Sequence, residues 1–479
     1  MSTLPRTSPE SVGIASKDIL DFINAVEAAE QELHSFMLLR HGNVAAEGWW
    51  APYRKDDIHL LYSLSKSFTS TAIGFAIQEE LVRLDDPVIS FFPDKLPANL
   101  SEKLQALKVR HLLSMSTGHS TDTIPGMRID PDEDWVRGFL AQDIEFEPGT
   151  HFLYNNGATY MLSAIVTKVS GISALDYLRP RLFDPLGIEK ATWTACPKGI
   201  SVGASELRIT TDSIARFGQL YLQKGMWNGT RLLSDEWVEQ ATSFQVSNAS
   251  NDQPDWKVGY GFQFWRCQTD CYRGDGAFGQ YCIVMPQTDM VVAITAAVSS
   301  MQTVLDLVWK HLLLPEKPES LPENAAELDA LKAHLTMLEI PGPIGKPISD
   351  LAKNFTGRMY KNVESESQIK TLTFDFDSQG CLLTTRTESG DRSLRIGSSK
   401  WIHGSWSVGN EPPTQFAAIG RWTSDNTYEF KLRYTNSPSG ATTVCTFEGN
   451  SVKHVTTLTS RFGNPEPTTF EGMAKKIGG

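Results

Sequence analysis

The pattern of hydrophobic positions divides the chain into a first part of mixed helices and strands and a last part that is rich in strands. Apolar residues recur at helical spacing over 16–29, and 65–81 is apolar on nearly every side, as in a helix buried inside a protein. The pattern is again mainly helical over 110–243, and a further helix is predicted at 301–314.

Strands are predicted on both sides of this helical region. Alternating or continuous apolar runs bounded by turn residues place them at 35–41, 44–50, 260–267, 280–285 and 290–296. Strands that come from both ends of a segment are most simply joined in one antiparallel sheet. We therefore predict an α+β fold in which the terminal helices cover one antiparallel sheet and the helical region is an insertion.

The pattern changes again after residue 314. Six prolines within 315–348 predict a semi-rigid linker. Beyond it, short alternating runs separated by turns rich in Gly, Asn, Asp and Ser predict a small antiparallel barrel or sandwich. These runs are 371–376, 382–387, 415–422, 428–434, 442–447 and 452–458. The predicted domains are thus 1–314 and 349–479, joined by 315–348.

Composition and charge exclude some partners. The chain has 479 residues, 41% of them hydrophobic, which is enough for two or three cores. A formal net charge of -12 repels nucleic-acid phosphates and anionic membrane surfaces, so neither is an expected partner. Residues 1–13 lack the apolar segment of a signal peptide, and no apolar run is long enough to cross a bilayer. These observations predict a cytoplasmic protein.

The cysteines and histidines do not indicate a metal site. Six cysteines scattered through a chain without an export signal favour reduced thiols. Cys267 and Cys271 lie four residues apart across a predicted hairpin, where a disulfide or a metal site is the alternative to free thiols. No second cysteine pair or histidine cluster accompanies them, and we expect neither a metal nor an organic cofactor.

The tetrad Ser-x-x-Lys is the first candidate for catalytic chemistry, and it occurs at Ser63–Lys66 and at Ser367–Lys370. By spacing alone, Ser63 could simply cap a helix while Lys66 reaches solvent. Only the first copy precedes a buried helix, where one turn brings Lys66 to the side of the serine hydroxyl. Burial favours a neutral lysine, which can accept the serine proton. We interpret Ser367 as a strand or turn residue without chemistry.

Two further segments accompany the first tetrad. Tyr154 and Asn156 stand before a helical run, and the glycine-rich segment Arg273–Tyr281 leads into a strand. Taken singly, Tyr154 is more simply a packed aromatic residue and the glycines form a turn. Together with Ser63 and Lys66, in this order and at these separations, they resemble the motif set of the class C β-lactamase and DD-peptidase superfamily. That family includes penicillin-binding proteins, D-aminopeptidases, β-lactamase-like carboxylesterases and 6-aminohexanoate-dimer hydrolases.

The resemblance extends over about residues 8–312 and implies a fold. Family-like segments also occur at 112–118, 185–187, 215–221 and 259–262. The implied fold is a five-stranded antiparallel sheet flanked by helices, with an all-α subdomain and the active site between them. Members with C-terminal β-barrels are known, which agrees with a lipocalin-like barrel at 349–479.

The resemblance also implies roles for individual residues. Ser63 would be the acylated nucleophile, Lys66 its base, and Tyr154 a second proton carrier that acts as phenol or phenolate. Asn156 would anchor the substrate or Lys66. The oxyanion hole would combine the backbone N–H of Ser63 with that of Ala277. Acylation followed by attack of water requires no cofactor.

The third motif departs from the family pattern. A Lys-Thr-Gly or His-Thr-Gly sequence usually supplies a cation there, whereas this chain has Gly274-Asp275-Gly276. If Asp275 and Gly276 contact the substrate, an anion at this place repels the carboxylate of β-lactams and favours neutral or ammonium-bearing substrates. The alternative is that Asp275 points away and caps a turn.

The sequence therefore predicts a serine hydrolase that cleaves ester or amide bonds of small substrates. A β-lactamase, a DD-peptidase or a D-amino-acid peptidase is the alternative enzyme, and a non-catalytic sensor on the same scaffold is the alternative from another class. For the C-terminal barrel, two roles remain open: lending a loop to the cleft, or forming a homo-oligomer.

Overall fold

The chain forms two compact units. The structure, a computed structural model, describes residues 4–313, 318–363, 367–406, 413–463 and 466–474. One unit comprises 1–48 and 58–336, and the other comprises 49–57 and 337–479. A short segment from the N-terminal part of the chain thus belongs to the same unit as the C-terminal strands.

The first unit is built on one antiparallel sheet with the strand order β2-β1-β11-β10-β9-β8. The strands of this unit are β1 (Leu33–Arg40), β2 (Asn43–Trp49), β3 (His59–Leu60), β4 (Thr192–Trp193), β5 (Leu207–Ile209), β6 (Met226–Trp227), β7 (Thr230–Arg231), β8 (Trp265–Arg266), β9 (Tyr272–Gly276), β10 (Gln280–Met285) and β11 (Met290–Ala296). The predicted five-stranded sheet is confirmed, and the two-residue β8 adds a sixth strand at its edge.

Four of the predicted strands were located to within two residues, and one was predicted too long. β10 and β11 coincide with the predicted runs because both are buried along their whole length. The prediction of a strand over 260–267 is wrong except at β8, since Gln263 has a φ of 65° that interrupts an extended backbone. β9 was predicted only as a lead into a strand, and its sequence Tyr-Arg-Gly-Asp-Gly lacks the β-branched residues typical of strands.

Helices cover both faces of this sheet. They are α1 (Ser16–Ala28), α2 (Ser65–Gln78), α3 (Glu102–Ala106), α4 (Val109–Leu113), α5 (Ile124–Arg128), α6 (Trp135–Leu140), α7 (Asn156–Ser170), α8 (Ala174–Leu178), α9 (Asp184–Leu186), α10 (Thr211–Leu222), α11 (Asp235–Thr242), α12 (Met301–His311) and α13 (Ala325–Thr336). Phe36 of β1 contacts Phe22 of α1, while the preceding Ser35 hydrogen-bonds Thr211 of α10. Because successive strand residues face opposite sides, α1 and α10 lie on opposite faces.

The helices at either end of this part of the chain lie close to their predicted bounds. The predictions for α1 and α12 are confirmed to within a few residues, and α2 begins at the predicted residue and ends three residues early. The stretch 315–348, predicted as a linker, contains α13, which packs against α1 in the first unit. Residues from Met337 onward lie in the second unit.

The second unit contains an antiparallel β-barrel, as predicted. Its strands are β12 (Met359–Asn362), β13 (Thr371–Asp377), β14 (Gly380–Thr387), β15 (Gly390–Gly397), β16 (Ile402–Trp406), β17 (Thr414–Trp422), β18 (Thr427–Tyr434), β19 (Gly440–Glu448), β20 (Ser451–Thr459) and β21 (Thr468–Ala474). A pairing of Gly397 with Ile419 closes nine of the described strands into a ring, and β16 pairs with β17 outside it. Aromatic residues such as Phe374, Trp422 and Phe447 fill the core.

The described residues can be compared with the predictions about membrane spans and cysteines. Among the described residues, no single helix is both long and apolar enough to cross a membrane, although the bent pair 156–170 and 174–186 meets the same length and composition limits.

Cys267 and Cys271 are buried free thiols on opposite sides of the β8–β9 hairpin, with the Cys267 N–H donating to the Cys271 carbonyl over 2.9 Å.

Candidate active site

Ser63 lies in the short turn that connects β3 to α2. A single 3-10 turn, Tyr62–Leu64, connects the strand to the helix. Tyr62 has a φ of 45°, in the left-handed region that aromatic residues rarely adopt. Leu64 is fully buried while Ser63 stays half-buried, so the turn anchors itself on one side and leaves the serine accessible on the other. Strained backbone of this kind is concentrated at functional sites.

Lys66 lies beside the Ser63 hydroxyl. Its Nζ is 2.9 Å from Ser63 Oγ, 2.7 Å from Asn156 Oδ1 and 2.8 Å from the carbonyl oxygen of Ala204. The lysine is only 1% exposed. Burial lowers the pKa of Lys66 from 10.5 to about 7, against the opposing effect of the carboxylates of Asp122 and Asp275. Near neutral pH a large fraction of Lys66 is therefore an uncharged amine.

Tyr154 completes the cluster from the loop that precedes α7. Lys66 Nζ lies 4.8 Å from the centre of its ring. The ring stacks on Trp265 at 5.4 Å between centroids, which fixes its orientation. Burial, assisted by the charge of Asp275, raises the pKa of the Tyr154 phenol well above its usual value. Tyr154 is thus a neutral phenol at physiological pH.

The end of β9 lies directly against the backbone at Ser63. A Cβ on Gly276 would fall 2.0 Å from the Leu61 carbonyl oxygen and 3.1 Å from the Ser63 nitrogen. Only glycine permits this approach. In the described part of the chain, no hydrogen bond from the backbone N–H of Ser63 or Ala277 is found. Gln280 Nε2 donates to the Ala277 carbonyl over 3.0 Å, which holds that peptide in place.

Asp275 forms a buried ion pair rather than capping a turn. Its carboxylate lies 2.9 Å from Nε of Arg273, with side-chain exposures of 6% and 0%. The guanidinium of Arg273 donates in addition to the Asp255 carbonyl and to the Cys267 sulfur. The negative charge at this position is therefore largely compensated within the protein.

The missing cation of the third motif has a steric explanation. A Cβ on Gly274 would lie 2.4 Å from Leu64 Cδ1 and 2.5 Å from Ser67 Oγ, both on the segment that carries Ser63. Contacts this short exclude any side chain unless the neighbours move. Because α2 packs so closely on β9, a lysine at position 274 would require the buried side chains of Leu64 and Ser67 to move.

We expect Asp275→Asn to lower the stability of the first unit. The change leaves the buried Arg273 guanidinium without its counter-charge, which should reduce the free energy of unfolding by about 3–5 kcal/mol. Urea unfolding measures the loss. Asp132→Asn is the matched control, since it removes one carboxylate from an exposed pair with Arg137 and should leave the midpoint almost unchanged. Equal midpoints for both variants would contradict the importance of the buried pair.

The structure brings together Ser63, Lys66, Tyr154 and Asn156, which the sequence had singled out, and adds three groups that it had not. Asp122 accepts hydrogen bonds from Asn156, Ala204 offers its carbonyl to Lys66, and Trp265 supports Tyr154. A backbone carbonyl leaves no signal in a side-chain pattern. Asp122 stands alone in a loop with no spacing that connects it to the motifs, so the sequence carried no sign of its position.

Comparisons with known proteins identify a family for this chain. The family model described as Beta-lactamase matches residues 26–307. A 6-aminohexanoate-dimer hydrolase from Paenarthrobacter ureafaciens is 28% identical over 280 residues, covering 54% of this chain and 71% of that protein.

Two solved structures share the fold. The octameric penicillin-binding protein homologue from Pyrococcus abyssi has a TM-score of 0.51 at 16% identity and covers 95% of this chain and 99% of its own. EstCE1, a hydrolase with promiscuous acyltransferase activity, has a TM-score of 0.52 at 18% identity, over 61% of this chain and 99% of its own.

Proposed function

This chain belongs to the Beta-lactamase family, and on that premise we propose that it is a serine hydrolase that cleaves ester or amide bonds of small substrates through an acyl-enzyme on Ser63. One observation carries the proposal: a buried lysine with a pKa of about 7 lies 2.9 Å from the serine oxygen. A general base is most effective when its pKa is near the working pH. A lysine that merely caps or supports a helix would not need this environment.

The hydrogen bonds of Lys66 support its role as the base. A neutral amine has two N–H groups and one lone pair. The carbonyl oxygens of Asn156 and Ala204, at 2.7 and 2.8 Å, can only accept, so they take the two N–H groups. The lone pair is left for the third neighbour, the hydroxyl of Ser63. The site therefore aims the basic lone pair of Lys66 at the serine proton.

In the proposed acylation and deacylation steps, every proton released by one group is taken up by another. Ser63 Oγ bonds to the substrate carbonyl carbon while its proton moves to Lys66. When the tetrahedral intermediate breaks its bond to the leaving group, the neutral phenol of Tyr154 gives that group a proton, and the Lys66 ammonium restores the phenol. In deacylation, Lys66 takes a proton from a water molecule while the water oxygen bonds to the acyl carbon. The bond from that carbon to Ser63 Oγ then breaks, Lys66 returns the proton to Ser63, and the carboxylic acid leaves.

The oxyanion of the intermediate is proposed to bind the N–H groups of Ser63 and Ala277. The close approach of Gly276 to the Ser63 nitrogen supports this placement, because it brings the end of β9 alongside the nucleophile. Two backbone donors fixed in advance typically stabilise such an intermediate by several kcal/mol.

The site favours substrates without a carboxylate beside the scissile bond. Position 274 is a glycine and supplies no cation for this carboxylate, and a lysine there would have to displace Leu64 and Ser67. Arg273 is already paired with Asp275. Simple esters and amides need no such cation. The name of the Paenarthrobacter relative adds a dimer of 6-aminohexanoate to the amides worth testing.

A panel of substrates tests the proposal. The kcat/KM values for p-nitrophenyl butyrate, an amino-acid p-nitroanilide, the 6-aminohexanoate dimer and a chromogenic cephalosporin should be compared on one preparation. We expect the best ester or amide to exceed the cephalosporin by at least about tenfold, the effect of ~1.4 kcal/mol in the transition state. Preference for the cephalosporin would instead identify a β-lactamase, and inactivity on all four would favour a non-catalytic scaffold.

A further inference from the structure

We propose that Asp122 is a positioning residue that fixes the direction of the Asn156 side-chain amide and thereby aims the lone pair of Lys66 at Ser63. The inference rests on the proposed function, since it assigns the part of the site that orients its base. Asp122 lies in the loop between α4 and α5, away in sequence from the motifs at Ser63, Tyr154 and Gly274–Gly276.

The contacts of Asp122 leave Asn156 only one orientation. One carboxylate oxygen accepts the Asn156 backbone N–H at 2.9 Å, and the other accepts from Asn156 Nδ2 at 2.7 Å. A carboxylate can only accept, so Asn156 must present its NH2 group to Asp122. The amide oxygen then faces Lys66 Nζ at 2.7 Å. The direction of the amide thus follows from the chemistry of its two neighbours.

The loop that carries Asp122 is itself fastened to the start of α7. Asn155, the residue that caps the helix, accepts hydrogen bonds from the Thr123 hydroxyl at 2.8 Å and the Thr123 N–H at 3.2 Å. The N–H of Ile124 donates to Asp122 over 3.3 Å. Loop and helix start therefore hold each other, and Asp122 keeps a fixed position beside Asn156.

Asp122 also sets the electrostatic surroundings of the base. The titratable and charged groups that face Lys66 are Asp122 from this loop, Asp275 from β9 with its partner Arg273, and the phenol of Tyr154. The negative charge of Asp122 raises the pKa of Lys66, against the larger effect of burial. Removing that charge must lower the pKa of Lys66, so more of the amine is neutral at a given pH.

The change Asp122→Asn alters both the orientation of the Asn156 amide and the charge near Lys66, and the two effects appear in different parts of the pH profile. An amide at position 122 can donate as well as accept, which allows Asn156 to flip and turn its NH2 group toward Lys66. We expect the plateau value of kcat/KM for p-nitrophenyl butyrate to fall about ten- to hundredfold. At the same time the acid limb of the pH profile should move to lower pH.

The exchange variant Asp122→Asn/Asn156→Asp provides the rescue. The new amide at position 122 would accept the backbone N–H of residue 156 and donate its NH2 to the new carboxylate, whose other oxygen accepts from Lys66. Every hydrogen bond is retained, while the charge moves next to the base. We expect the plateau to recover to within about tenfold of the wild type, with the acid limb now shifted to higher pH. Asp143→Asn, which removes an exposed carboxylate, should change neither plateau nor limb.

Different results test the positioning role of Asp122 and the proposed hydrolase function. A purely structural role would lower activity without opposite shifts of the acid limb in the single and exchange variants. An unchanged profile for Asp122→Asn, or an exchange variant whose limb does not move upward, would overturn the inference while Ser63 dependence still stood. If Asp122→Asn does not fold, the exchange variant alone decides. Loss of the requirement for Ser63 would instead overturn the proposed function.

Discussion

Replacing Ser63 with alanine should lower kcat/KM for p-nitrophenyl butyrate by at least about 10⁴-fold, because the variant has no oxygen to carry the acyl group. The fold should persist, since the side chain of Ser63 is small, half-buried and not part of the core. Thermal unfolding of both proteins checks this. Residual activity at or above a tenth of the wild-type value would show that another residue or a directly activated water performs the hydrolysis.

The second Ser-x-x-Lys tetrad supplies a matched control for this experiment. Ser367 lies in a turn, where its Oγ accepts the Ile369 N–H over 3.2 Å. Lys370 Nζ forms an ion pair with Glu388 at 3.2 Å. Among the described residues, Lys370 has no hydrogen bond to Ser367 like the one that joins Lys66 to Ser63. Ser367→Ala should therefore retain full activity, and a loss comparable to that of Ser63→Ala would contradict the assignment of the nucleophile.

Replacing Lys66 with arginine should lower kcat/KM by about 10²–10⁴-fold, the usual contribution of a general base. Arginine keeps a positive charge at every accessible pH and therefore has no lone pair for the Ser63 proton. In the wild type, kcat/KM should rise with pH and reach half its plateau near pH 7, because the base is active only above the pKa of Lys66.

The pH profile distinguishes Lys66 from Tyr154 as the base. Burial raises the pKa of Tyr154, so a phenolate base would give a profile that still rises in strongly alkaline solution. An arginine variant with activity near that of the wild type, or an acid limb far above pH 7, would contradict the role of Lys66. Lys66→Ala should be equally impaired, and its activity should no longer follow the titration near pH 7.

The parts of the fold that the sequence predicted are those in which burial alone determines the pattern. β10 and β11 are almost wholly apolar because they are buried along their whole length, so their runs are visible without any knowledge of their neighbours. α2 is also buried on nearly every side, and apolar residues such as Phe68, Ala72 and Phe75 predicted it although much of its first half is Ser and Thr. In the barrel, six strands were predicted instead from alternating runs, because one face of each strand is buried in the core. β12, β15, β16 and β21 were not predicted. In β15 and β16 most residues are exposed or half-buried, so no apolar alternation results.

The candidate site was predictable where motifs supply side chains and unpredictable where packing determines the outcome. Ser63, Lys66 and Tyr154 were singled out by order and spacing. The pairing of Arg273 with Asp275 depends on β9 being a strand, which places residues two apart on the same face. Because β9 was not recognised as a strand, Asp275 was expected to act as an unpaired anion or a turn cap. The close packing of Gly274 on α2 is likewise a property of the assembled fold.

The central claim is that Ser63 carries the acyl group, and rapid quenching tests it most directly. The protein is mixed with excess p-nitrophenyl butyrate, stopped with acid during turnover, and analysed by intact mass and peptide mapping. We predict the mass of one butyryl group on the peptide that contains Ser63, and none on Ser63→Ala. A butyryl group on a different residue, or steady turnover with no adduct at any time, would contradict the account.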